Sequence, residues 1–249
     1  MNTATAKLPP ATAARTARRV YLWVAAVAAL LAIIGFWRSY FGPVLAGTVD
    51  ESVLIHVHGV ICTGWFGLFA CQAYLASTGR LALHVSLGRW IIAYALGVIA
   101  SGVMVSFATA GADVAAGEVA RGQRRLFGFL REVIFFAAFV WAGWAYRRSP
   151  EVHKRLMVVA TTLLIVPAVG RLLYQLRGST PPLLDWMLVW PLPIYLAMLH
   201  DFVRKRLIHP AYVIGWLALL AERLVLPIRD SDWWLGLSAR LFVPFYLSP

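Results

Sequence analysis

Six histidines, His56, His58, His84, His153, His200 and His209, all stand near the ends of apolar runs in a chain of 249 residues that is 61% hydrophobic. Neutral imidazole is a ligand for metals and for haem iron, and two such groups from facing helices at equal depth make an axial pair. "LHVSLGRW" opens one run with His84 and "EVHKRLM" opens a later one with His153. These two satisfy the requirement and are the candidate ligands of one haem b. In "LIHVHGVICTG" His56 and His58 are two residues apart, so on a helix they point about 200° away from each other and cannot share an ion. Helical steps from His58 pass Cys62, Trp65, Phe69 and Gln72, a stripe with polar ends, whereas steps from His56 pass Gly59, Thr63, Gly67 and Ala70, a face small enough for another helix. His58 is therefore the third candidate ligand. The competing reading for any one histidine is an amphipathic side chain resting at headgroup depth, and the sequence assigns no role to His56, His200 or His209.

A second set is made of charges where charges are costly. Arg131, Glu132, Arg171, Tyr174, Asp185, Glu222 and Arg223 fall inside or at the rim of apolar segments. Such groups pair or line a wet cavity. They predict a polar pocket at the opposite end from His84 and His153, with Arg131, Glu132, Arg171, Tyr174, Asp185 and Arg223 as its lining. The alternative is a set of internal ion pairs, Glu132 with Arg171 for instance, that fixes packing only.

The elements that must position these residues are membrane helices. Only 14% of the chain is charged, against roughly a quarter in soluble domains, and apolar runs near the roughly 20 residues of a bilayer crossing recur throughout. The spans read as Val20–Trp37, Ile55–Ser77, Trp90–Ala112, Leu126–Tyr146, Leu156–Leu176, Leu183–Phe202 and Ala211–Ile228. The expectation is an all-α integral membrane bundle of about seven transmembrane helices over 20–230. A disordered basic tail (1–19) precedes it, and an aromatic segment along the interface (231–249) follows. Basic residues concentrate in the tail and in the loops around Arg80, Arg147 and Arg204, which predicts a cytoplasmic N-terminus and a bacterial inner-membrane protein. "RGQRR" at Arg121–Arg125 runs against that orientation.

The net charge of +12 then belongs to cytoplasmic loops and anionic lipid headgroups rather than to nucleic acid. Cys62 and Cys71 lie on one helix, too far apart for a disulfide. "HExxH", "HxxxH", "CxxC" and phosphate-binding glycine loops do not occur. "PLP" at Pro191–Pro193 interrupts the sixth span, as prolines in membrane helices often do without further meaning.

"HGVICTGWFGLFACQAYLASTGRLALHVSLGRW", "RRSPEVHKRLMVVATTLLIVPAVGRLL" and "LHDFVRKRLIHPAYVIG" resemble a group of bacterial polytopic membrane proteins in which a histidine begins one span, an "lHxxLG" the next and an "HKRLM" phrase a later one. That resemblance implies a fold and no activity. His58–Gly59, and His84 with Gly88, are also similar to the openings of core helices in transmembrane b-type cytochromes, which hold two bis-histidine haems on four helices. The fourth span here has Arg131 and Glu132 in place of a histidine, so the resemblance implies one haem, between His84 and His153.

Two function classes follow. One is a haem-binding electron-transfer protein, with a quinone or small electron donor as partner at the polar pocket. The other is a non-redox binding or transport protein, or an accessory subunit, holding a lipid or small ligand there. Metal-dependent hydrolysis by His56, His58 and Glu132 ranks below both, because the helical phase separates the two histidines.

Overall fold

The computed structural model describes residues 11–242, with side chains from residue 19 onward, and every regular element among them is helical. Helix α1 (Ala11–Phe36) continues through a π turn (Trp37–Phe41) into the short α2 (Gly42–Leu45). Its start at Ala11 lies within the stretch read from sequence as a disordered tail; residues 1–10 fall outside those described. Ser52 caps α3 (Val53–Ser77), its hydroxyl accepting the Ile55 N–H at 3.4 Å. Gly79, at φ 77°, turns the chain into the short α4 (Leu81–Gly88). There follow α5 (Ile91–Ala115), α6 (Val119–Ala145) and α7 (Pro150–Leu164).

Two further stretches are bent by proline. Helix α8 (Val166–Arg177) leaves α7 at 49°, and α10 (Leu192–Lys205) leaves α9 (Leu183–Val189) at 55°. Pro167, Pro191 and Pro193 each lack the N–H that would continue the ladder. The Thr162 carbonyl at the first bend is buried, and the Trp190 indole, beside the second bend, donates to it at 2.7 Å, so one break satisfies the other. Helix α11 (Pro210–Leu224), a 3₁₀ turn (Leu226–Asp230) and α12 (Asp232–Leu241) complete the described chain.

Five stretches, Arg19–Leu45, Val53–Ser77, Ile91–Ala115, Val119–Ala145 and Pro210–Asp230, are long and apolar enough to cross a membrane; counting each bent pair as one gives seven. Helix α7 is the axis, with Val158, Val159, Ala160, Thr161 and Thr162 wholly buried. Helices α1, α3, α6, α10 and α11 surround it. Trp23, Val60, Leu96, Ile134, Trp141 and Leu199 each expose more than half of their surface, an outward apolar face that suits lipid as solvent.

Helix α12, expected from sequence along the interface, packs on α6. Trp234 is buried, donates from its indole to the Gln123 carbonyl at 2.9 Å and meets Phe127 edge-on at 5.1 Å. Residues 243–249 fall outside those described. The arginines of "RGQRR" are ion-paired. Arg121 and Arg125 pair with Asp113 at 3.2 and 2.7 Å, and Arg124 with Asp230 at 2.6 Å.

Candidate functional site

Two constellations form at opposite ends of the bundle. At one end the Gly79 turn folds α4 back along α3, so that His84 Nδ1 lies 3.3 Å from the Gln72 carbonyl. His153, in the first turn of α7, donates from Nδ1 to the Gly143 carbonyl at 2.8 Å. That carbonyl is among the last four of α6, which have no partner within their own helix. A carbonyl can only accept, so His153 carries its proton on Nδ1 and presents a lone pair at Nε2.

The two rings meet, with centroids 6.3 Å apart and planes at 81°. Two imidazoles holding one metal from opposite sides through Nε2 would stand about 6.2 Å apart, given metal–nitrogen bonds of about 2.0 Å and about 1.1 Å from nitrogen to ring centre. A backbone carbonyl behind the far nitrogen is also the usual support of a ligating histidine. Gln72 bears on which tautomer His84 takes. With its amide turned to accept the Gly88 N–H at 3.0 Å, it donates to His84 Nδ1 at 2.6 Å, which puts the proton on Nε2; the Gln72 backbone carbonyl favours the opposite tautomer, the one that ligates. Among the described residues no cluster of three or more His, Cys, Asp or Glu is gathered, so any ion here would rest on this pair.

His58 stands apart from that pair. Ser101 donates its hydroxyl to the Val98 carbonyl at 3.1 Å, so at 3.0 Å from His58 Nδ1 it accepts, and Cys62 lies 3.5 Å from Nε2. Both ring nitrogens are thereby engaged between α3 and α5, and no second histidine joins them. His56 bonds Tyr40 at 2.9 Å, and the Tyr40 ring lies against Gly59 on the small-residue face of α3. His209 caps α11, its Nδ1 accepting the Ala211 N–H at 3.2 Å; burial, and then the charge of Arg155, holds its pKa below the ordinary imidazole value of 6.5.

At the other end Arg131, Glu132, Arg171, Tyr174 and Arg223 line one cleft of about 630 Å³, walled also by Trp186. Five of the six side chains expected from sequence thus come together. Asp185 does not line the cleft; it pairs with Arg177 at 2.8 Å. Glu222, from α11, is wholly buried and holds Arg131 at 2.5 Å and Arg223 at 2.5 and 2.8 Å. The expected Glu132–Arg171 pair is not the one that forms. Glu132 lies 3.6 Å from Arg131, while Arg171 donates to the Pro167 carbonyl at 3.1 Å and rests on the Phe36 ring at 4.5 Å. Arg223 lies over Trp186 at 4.1 Å. Gly170 admits that indole, since a Cβ there would fall 2.8 Å from it.

Sequence reasoning passed over one ion network. Arg155 is buried at the histidine end, donating from Nε to Asp201 at 2.9 Å and from Nη1 to Glu151 at 3.0 Å; Glu151 also takes Lys154 and Lys205 at 2.6 and 2.7 Å. Arg155 reads as one more basic residue of a loop, and Asp201 lies 46 residues away, so only packing reveals the pair. Comparison with protein-family models, with curated proteins and with solved structures gives no match.

Proposed function

We propose that the chain is an electron-transfer protein of the bacterial inner membrane, crossing it seven times from a cytoplasmic N-terminus and holding one haem b between His84 and His153. One observation carries the reading: two imidazoles from separate helices stand 6.3 Å apart, the spacing of an axial pair, each with a backbone carbonyl at Nδ1. The basic loops support the orientation, and the sequence resemblance to b-type cytochromes supports the choice of group.

The chain's own residues orient and insulate. Gly143 fixes the His153 ring through its carbonyl, and the Gln72 backbone carbonyl, 3.3 Å from His84 Nδ1, would support the ligating tautomer of that ring. A Cβ at Gly88 would lie 3.6 Å from the Gln72 side-chain amide. Haem bound there supplies one-electron transfer. His58, with both nitrogens engaged by Ser101 and Cys62, takes no part.

An absorption spectrum of the full chain, purified in detergent from haem-replete cells, tests this. The expected result is a Soret band that shifts on reduction, is lost in His84→Ala and in His153→Ala, and survives in His58→Ala. A colourless wild-type protein ends the reading. The arginine cleft then leaves the non-redox alternative, a binding or transport protein, in its place.

A further inference from the structure

The geometry points to the arginine cleft as a binding site for an oxyanion, a carboxylate or phosphate, carried by a molecule with an apolar body. The inference stands on residues at the opposite end from the histidine pair and does not depend on haem.

The first ground is an unfinished guanidinium. Arg131 is 6% exposed, and its one close acceptor is Glu222, reached through Nη2 at 2.5 Å. Its Nε and Nη1 have no hydrogen-bond partner among the described residues. A guanidinium carries five donor hydrogens and always its charge, and buried donors left without acceptors are rare because each is costly. Arg131 lines the cleft, and a small turn of its covered guanidinium would offer these donors to an anion there.

The second ground is the local charge. Glu222 is shared by Arg131 and Arg223, so it neutralises one of the two. Arg171 makes no ion pair among the described residues; it donates to a backbone carbonyl and rests on an aromatic face. Glu132 is the remaining acid of the lining, and Arg229, also in the lining, pairs with Asp230, which leaves the other three arginines with their two acids net positive by one. Three arginines on three helices, α6, α8 and α11, suit the planar, forked recognition of carboxylate or phosphate.

The third ground is the wall. Trp186 lies against Arg223, and Pro167 and Leu183 continue an apolar lining. About 630 Å³ lies within the roughly 300–1,000 Å³ of small-molecule pockets, and is far larger than an inorganic anion needs. Such an anion comes either from a lipid headgroup or from a free organic acid.

Trp186 supplies the readout. Full-length protein in a non-ionic detergent is titrated with hexyl phosphate, with hexanoate and with hexyltrimethylammonium, following indole fluorescence and thermal stability. The two anions are expected to bind and the ammonium not. Arg171→Gln, which breaks no ion pair, should weaken anion binding about tenfold or more while leaving the unliganded melting temperature unchanged. Glu132→Gln should tighten it, because an acid facing the anion is removed. The titration is repeated in nanodiscs of phosphatidylcholine with and without phosphatidylglycerol. Loss of the hexyl phosphate response in phosphatidylglycerol alone identifies a lipid headgroup as the occupant, and an equal response in both identifies a free acid. Equal binding of the ammonium, or unchanged affinity in Arg171→Gln, overturns the inference.

Discussion

Glu222 of α11 and Arg131 of α6 meet at 2.5 Å in the interior, the carboxylate wholly buried and the guanidinium nearly so. The same carboxylate holds Arg223 with both oxygens. One acid thus tethers two helices and fixes two of the four arginines that line the cleft.

Removing that acid strands two buried cations. Breaking a buried ion pair from one side costs about 3–5 kcal/mol, so Glu222→Gln is expected to lower the melting temperature in detergent sharply. Glu132→Gln, whose acid lies 3.6 Å from Arg131, should change it little. Equal effects of the two substitutions would show that Glu222 is not the tether.

The near-perpendicular planes of His84 and His153 give the proposed haem a spectroscopic signature. Axial imidazoles with crossed planes produce a strongly anisotropic low-spin ferric signal, whereas parallel planes produce a rhombic one. Electron paramagnetic resonance of the oxidised protein should give the first kind. A rhombic spectrum would place the ligands elsewhere.

Gly35 of α1 lies against the backbone of Ala168 in α8, where an added Cβ would come within 2.8 Å of three backbone atoms of that residue. Small residues at such crossings let helices approach closely. Gly35→Leu should destabilise the protein by about 1–3 kcal/mol, the usual cost of overfilling an interface. Gly67→Leu on α3, whose Cβ meets nothing within 4 Å, serves as the control and should leave the melting temperature close to wild type.

His209 should make stability depend on pH. It caps α11 as a neutral acceptor, and its pKa is held below the ordinary 6.5. A folded-state pKa below the unfolded value means that the unfolded chain takes up the proton first, so the contribution is present above about pH 6.5 and is lost as pH falls. His209→Asn keeps a side-chain cap that does not titrate. It should flatten the fall in melting temperature between pH 7.5 and 5.5 by the worth of a cap, about 1 kcal/mol. An unchanged slope would assign that dependence to other groups.

The helical class, the apolar spans and most of the cleft were legible in the chain itself, because helices apolar enough to cross a membrane obey two simple rules. Every backbone group is satisfied within a helix, and every charge at depth is turned inward. Arg131, Glu132, Arg171, Tyr174 and Arg223 stand out for that reason alone. Their partners do not, because pairing depends on helix rotation and crossing, which periodicity leaves free. Asp185 had the right depth and turned to Arg177; Arg171, expected beside an acid, took the Phe36 ring. His58 looked like a ligand from its stripe, and was absorbed by Ser101 on the neighbouring helix.

By itself the sequence determined where the long apolar helical spans lie and which residues within them are too costly to leave without partners. Tertiary structure alone decided that His84 and His153 stand 6.3 Å apart, that Glu222 joins two arginines, and that Arg155 finds Asp201 across 46 residues. The physical reason is that burial energy is set by each residue's own chemistry, whereas a contact requires two helices to agree on register, rotation and tilt.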